Sequence, residues 1–256
     1  EKFGQRAVSI AGRSATALVG APWQRETARS AAVPYTAQQL AAAALDLSGV
    51  ALDWGLTDWL VPAGAWSHQG TPLAAVMAIA QAAGGYVLSH RSAPTLLTRH
   101  PYPTAPWSWG AGAADVELAP DALITVAAEE RGGNDINAVY ASGTTTGVLA
   151  RVLRTGTAGD KLAAMVTDPL ITHVDAARQR GLAVLGAAGA KQAITLELPV
   201  LTGAGGDPGI LDVGQLVQIN AATPWRARVR AVSVSARMAS VRQSVTLERH
   251  LEMEEV

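Results

Sequence analysis

From Ala193 onward, apolar and polar residues alternate. Ile194, Leu196, Leu198 and Val200 share one parity, and Thr195 and Glu197 take the other. A β-strand sends successive side chains to opposite faces, so this period of two predicts a half-buried strand. The run Leu201-Thr-Gly-Ala-Gly-Gly-Asp-Pro-Gly reads as a connector from its glycine and proline content. Residues 215–220 and 224–235 are further β-rich runs. The stretch 241–250 alternates most cleanly. Val241, Val245 and Leu247 point one way, and Arg242, Ser244, Thr246, Glu248 and His250 the other. Strands this closely spaced predict a small barrel or sandwich.

The earlier part of the chain changes period. Thr36 is placed to cap a helix with Gln39 three residues on, a capping-box spacing, and that helix should run to about Leu45 and stop before Gly49. Thr71-Pro72 repeats the signal, with proline at the first helical position. Leu73, Val76, Met77 and Ala80 then form the predicted apolar stripe, ended by Gly84-Gly85. Strands are expected over 86–89 and 95–98, hinged at Ser92-Ala-Pro94. The proline-rich stretch from His100 to Trp107 reads as a stiff, extended boundary between two lobes. Beyond it, 136–142 and 147–154 read as strands around a Gly-Thr-Thr-Thr turn. Thr172 and Asp175 open another helix, with a stripe of Val174, Ala177, Gly181, Val184 and Leu185. Gly181 weakens that helix by about 1 kcal/mol relative to alanine, or else permits close packing. Helices with short strands, followed by strands around one helix, make an α+β class.

Several segments carry a resemblance. Gly209-Ile-Leu-Asp-Val-Gly-Gln-Leu-Val, Trp225-Arg226 and the closing Val245-Thr-Leu-Glu-Arg-His resemble the end of the baseplate hub proteins of contractile and Mu-like phage tails. Arg154-Thr-Gly-Thr-Ala-Gly-Asp160, Asp168-Pro-Leu-Ile171 and Gly12-Arg-Ser are similar to segments of the same family. The resemblance implies a homotrimer in which each subunit gives two tube-like barrels to a six-fold-like ring. Such a ring adapts the tail tube to the central spike, and phage DNA leaves through its lumen without sequence-specific binding. It also implies a virion component that passes through the host cytoplasm during assembly. Contractile injection systems share this architecture. The implied organisation is a remnant of a first barrel over 1–20, a small α/β lobe over 21–120, and a second tail-tube-like β-barrel with one helix over 121–256. The chain starts at Glu1 without methionine, and Val8-Ser-Ile-Ala follows at once. A strand over 7–11 without a hairpin neighbour leads us to expect part of a longer polypeptide.

Composition narrows the function classes. The 256 residues are 49% hydrophobic and carry a net charge of −1, which argues against wholesale disorder and against a general nucleic-acid or membrane-surface binder. There is no cysteine, so disulfides, thiol catalysis and thiolate metal sites are excluded. No apolar run reaches the length of a membrane span.

Candidate chemistry is sparse. Asp53 and Asp58 with Trp54, Trp59 and Trp66 are the most enzyme-like feature. Aromatic platforms beside carboxylates suit a carbohydrate-active enzyme or a sugar-binding module. The competing reading is that the tryptophans anchor a small lobe or a subunit contact and the aspartates cap turns. His68, His90, His100, His173 and His250 are scattered, with no close helical pair of the kind that grips zinc. Gly156-Thr-Ala-Gly-Asp-Lys161 and Gly186-Ala-Ala-Gly-Ala-Lys191 lack the spacing and the following Ser or Thr of a phosphate loop, and read as turns. The sequence therefore nominates no catalytic residue, cofactor or metal. Arg226, Arg228 and Arg230 alternate with Ala227 and Val229, giving one strand face a cationic stripe. That stripe is a candidate subunit interface, with a solvated face or a channel wall as the other readings. Beyond Arg230 the apolar parity reverses at Val232 and Val234, so a β-bulge lies near Ala231 or the strand changes environment.

Overall fold

A computed structural model describes residues 10–200, 209–237 and 240–251. Its strands in chain order are β1 (Thr27–Ser30), β2 (Tyr35–Thr36), β3 (Ala51–Gly55), β4 (Leu60–Val61), β5 (Ser67–Gly70), β6 (Tyr86–Ser89), β7 (Thr95–Arg99) and β8 (Val116–Leu118). They continue as β9 (Thr125–Arg131), β10 (Ala138–Gly143), β11 (Leu149–Leu153), β12 (Val166–Asp168), β13 (Lys191–Pro199), β14 (Leu216–Ile219), β15 (Trp225–Arg237) and β16 (Ser240–His250). The helices are α1 (Ala37–Ala44), α2 (Pro72–Ala82) and α3 (Val174–Gly186). The α+β class read from the sequence holds. Most of the connector expected over 201–209 and most of the strand expected over 7–11 lie outside the described residues.

The chain divides into two compact units. One takes Glu1–His100, Ala141–Ala150 and Thr167–Arg180; the other takes Pro101–Tyr140, Arg151–Val166 and Gly181–Val256.

In the first unit α1 and α2 pack together, and alanines at 37, 41, 75 and 80 keep the buried surfaces small enough for close approach. Thr36 caps α1 as its spacing predicts: its Oγ1 accepts from the Gln39 amide at 3.3 Å, and the Gln39 side chain accepts from the Thr36 amide at 2.9 Å. Thr71 caps α2 with one bond only, its Oγ1 accepting from the Ala74 amide at 3.3 Å. The stripe expected on α2 holds at Val76 and Ala80, with Leu73 packed against the core, and fails at Met77. Ala75, Val76, Ile79 and Ala80 are buried, whereas Met77 is 51% exposed. This helix is apolar on nearly every side, so periodicity alone does not select its inward face. Around the helices lie β3-β7-β6, with β3 and β7 parallel, and the two-stranded pairs β1-β5 and β2-β4. Trp59 is buried, and its indole N–H donates to the Leu170 carbonyl at 2.9 Å.

The second unit is built on one six-stranded sheet, ordered β8-β14-β15-β16-β13-β9. One face carries the core of Ile194, Leu196, Leu198, Val217, Val229, Val245 and Leu247. The parities read for 194–200 and 241–250 are therefore the observed ones, and β13 and β16 pair antiparallel from Lys191↔His250 to Pro199↔Arg242. Of the two readings of the parity change in β15, the bulge is observed: the register against β16 shifts between Val229 and Ala231, which turns Val232 back toward the core. Among the described residues the outer strands β8 and β9 are not paired with each other, so the six strands form an open sheet. Gly181 does permit close packing, since a Cβ there would lie 2.4 Å from Val152 Cγ2.

Candidate functional site

A dense cluster of polar and aromatic groups lies on the sheet face opposite the core of the second unit. Alternation in Trp225-Arg-Ala-Arg-Val-Arg sends Ala227 and Val229 into the core and leaves the arginines on the other face. The segment from Pro101 through the 3₁₀ turn Pro106–Ala111 runs across that face, and Tyr102 and Trp109 are buried against Leu216. Each arginine binds this segment. Arg226 donates from Nη1 to the Gly112 carbonyl at 2.6 Å and to the Trp109 carbonyl, while its Nε donates to Gln218 Oε1 at 2.8 Å. Arg228 is 4% exposed, and its guanidinium lies 5.8 Å from the Trp109 ring centroid. Arg230 lies over the Tyr102 ring at 4.7 Å. Arg228 and Arg230 both reach the Pro101 carbonyl, at 3.4 and 3.5 Å.

Glu248 is the counter-charge. The hairpin register sets it opposite Arg228. Its Oε1 accepts from Arg230 Nη2 at 2.8 Å and from the Tyr102 hydroxyl at 2.7 Å, and lies 2.9 Å from His250 Nε2. Lys191 Nζ stands 3.8 Å from the other carboxylate oxygen. Burial alone would raise the Glu248 carboxyl. Hydrogen bonds from His250 and Arg230, the Arg230 charge and the Tyr102 hydroxyl outweigh it and hold the group well below the usual carboxylate range. Burial, reinforced by the neighbouring carboxylate, raises the Tyr102 phenol. Burial also lowers the Lys191 ammonium, partly offset by Glu248. The His250 ring stands edge-on to Tyr102 and Trp109, at 5.9 and 5.2 Å. This arrangement is a clamp. Its hydrogen bonds and cation–π contacts bind the segment to the sheet, and its one carboxylate is held ionised by the cations around it.

The stripe of Arg226, Arg228 and Arg230 was thus legible, but Glu248, Lys191, Tyr102 and Trp109 were not singled out with it. Glu248 already stood on the polar parity of 241–250. Its pairing with Arg228 follows only once the hairpin register and the bulge are known.

The acid–tryptophan cluster in the first unit has a different use. Asp53 makes a bidentate pair with Arg99 on the neighbouring parallel strand, at 2.6 and 3.2 Å. The hydrogen bond from Arg99 lowers its carboxyl. Asp58 Oδ1 accepts from the amides of Gln38, at the start of α1, and Trp59, at 2.9 and 3.0 Å. Trp59 and Trp66 are buried in the core, the latter stacked on His68. The carboxylates therefore fix a strand pair and a helix start, and the tryptophans anchor the unit. The glycine loop 156–161 is held by its own chain: Asn137 bonds both Asp160 and the Lys161 amide, Lys161 pairs with Asp135, and Arg151 donates to the Gly159 carbonyl. In the other glycine loop, a Cβ on Gly186 would lie 2.5 Å from the Tyr102 ring. Among the described residues no three His, Asp or Glu side chains gather as a metal site. An open groove of about 630 Å³ in the first unit is lined mainly by apolar residues, including Leu73, Met77 and Val87, with Arg13 lying over Trp23 at its rim.

Neither a family model nor a curated protein sequence matches the chain. Among solved structures it is similar to the tail protein from Neisseria meningitidis MC58, with a TM-score of 0.56 at 12% identity over 87% of this chain and 69% of that one. It is also similar to the 43 kDa tail protein of prophage MuSo2 from Shewanella oneidensis, with a TM-score of 0.48 at 12% identity over 84% of this chain and 65% of that one. The first likeness establishes a shared fold across most of the chain.

Proposed function

We propose that this chain is a structural component of a phage or prophage tail, and within the tail the hub that adapts the tube to the central spike. The observation that carries the reading is the fold shared with a tail protein over 87% of the chain. The chemistry of the two units supports a non-enzymatic role. The carboxylates that a glycosidase would need, Asp53 and Asp58, are engaged in a strand pair and a helix cap. The charge cluster around Glu248 and the arginine stripe is consumed in holding a segment of the same chain.

On this reading the protein works as a homotrimer around a lumen through which DNA passes, in contact with tube and spike proteins. The arginine face then contributes to subunit contacts chiefly by fixing the shape of the subunit. Light scattering coupled to size exclusion, over a range of concentrations and salt, tests the stoichiometry. The expected mass is three times that of the chain. A monomer at every concentration would contradict it.

A further inference from the structure

The six-stranded sheet of the second unit has two edge stretches without charge that match each other, although β9 ends in the charged run Glu129-Glu130-Arg131. Edge strands are normally blunted by charge, proline or a bulge, because their free N–H and C=O groups template pairing. All seven residues of β9 are exposed, and its first half, Thr125-Val-Ala-Ala128, carries no charge. The second edge is the outer half of β15. β14 covers β15 only from Trp225 to Arg228, and beyond the bulge Ala231-Val-Ser-Val-Ser-Ala236 is also uncharged. Among the described residues neither stretch has a strand on its open side.

Both edges leave apolar side chains of the core face uncovered. Val126 lies in one row with Leu196, Val245 and Val232, yet it is 56% exposed. Val234 pairs with Gln243, on the same face as Val245, and is 48% exposed. Strand direction is compatible as well. β15, β16, β13 and β9 are joined by three antiparallel pairings, so β9 runs opposite to β15. A neighbour generated by rotation about an axis along the strands therefore brings its β15 antiparallel to β9.

We infer that β9 of one copy pairs with the outer half of β15 of a second copy, residues 231–237, continuing the sheet between subunits and burying Val126 against Val234. The contact is head-to-tail, so it repeats until rotation closes a ring. It rests on the reading of this chain as an assembling tail component, and it names the two strands through which that assembly occurs.

The chain has no cysteine, so introduced thiols are the only ones present. Val126→Cys is combined in turn with Val234→Cys and with Ala236→Cys to sample register, with each single variant as control. Facing residues of paired antiparallel strands lie about 4.5–5.5 Å apart at Cα, within disulfide reach. Mild oxidation should give a ladder of dimers and higher species on a non-reducing gel for at least one double variant, and at least tenfold less for the singles. Circular dichroism establishes that each variant is folded, and light scattering on the unmodified chain is run alongside. An oligomer by scattering with no ladder overturns the edge pairing and leaves the tail reading standing. A monomer by scattering with no ladder removes the pairing and the assembly together. A single variant carries one thiol per chain and can give at most a dimer; dimer bands as strong as the first rung of the double variants also overturn the head-to-tail contact.

Discussion

Glu248 is where the polar bonding of the second unit converges, with Tyr102, Arg230 and His250 all at one carboxylate oxygen. Removing one partner of a largely buried ion pair leaves the others uncompensated. Glu248→Gln should therefore destabilise the protein by about 2 kcal/mol at neutral pH, below the value for a fully buried pair because its side chain is 20% exposed. Tyr102→Phe removes a single hydrogen bond to a charged group and should cost about 1.5 kcal/mol. The folded-state carboxyl is depressed from an ordinary value of 4.5, so its contribution is complete above that value and is lost as the pH falls toward the depressed one. The stability gap between wild type and Glu248→Gln should shrink steadily between about pH 5 and pH 3, as read by urea unfolding. A constant gap would mean that the charge is not what holds the clamp. Gln243 is the complementary case. It is fully buried on an otherwise apolar face, where its amide accepts from the Leu211 N–H at 3.1 Å and donates to the Gly209 and Pro199 carbonyls at 2.9 and 3.4 Å. A polar residue at an apolar parity position was the available signal, and the bonds it makes to residues far away in sequence were not.

At the scale of elements, local patterns identified what local physics decides. The Thr36–Gln39 capping box is an interaction within four residues, and Thr36→Ala should cost about 1 kcal/mol in thermal or urea unfolding. The alternation along β13 and β16 was legible because each strand buries one face of the sheet. The inward face of α2 was legible only in part, at Leu73, Val76 and Ala80 but not at Met77, since its neighbours rather than its own period select which of many apolar residues are covered. Gly143 shows the same limit. A Cβ there would stand 1.8 Å from the Ile171 carbonyl oxygen, a backbone atom that cannot rotate away. Gly143→Ala should destabilise by about 3 kcal/mol, at the upper end of overpacking effects, whereas Gly147→Ser, in open space but at φ +69°, should cost less, about 1 kcal/mol. Equal effects at the two positions would contradict the close approach.

At the scale of the whole molecule, the division into two units assembled from alternating stretches of chain follows from contacts distant in sequence, which neither period nor composition encodes. The fold class was legible from the order of helices and strands. The arginine stripe was legible as a pattern, but the backbone carbonyls it binds at Pro101, Trp109 and Gly112 lie more than a hundred residues earlier, and its counter-charge Glu248 stands on the next strand. The proposed role as the hub of a phage tail can be tested on the particle itself. Its most direct test is to purify tail particles from a producing culture, detect the chain in them by mass spectrometry, and locate it with a gold-labelled antibody in electron micrographs. A hub is expected in the particles, with label confined to the distal end of the tail tube. Absence from purified particles, or label on the head or along the whole tube, would contradict it.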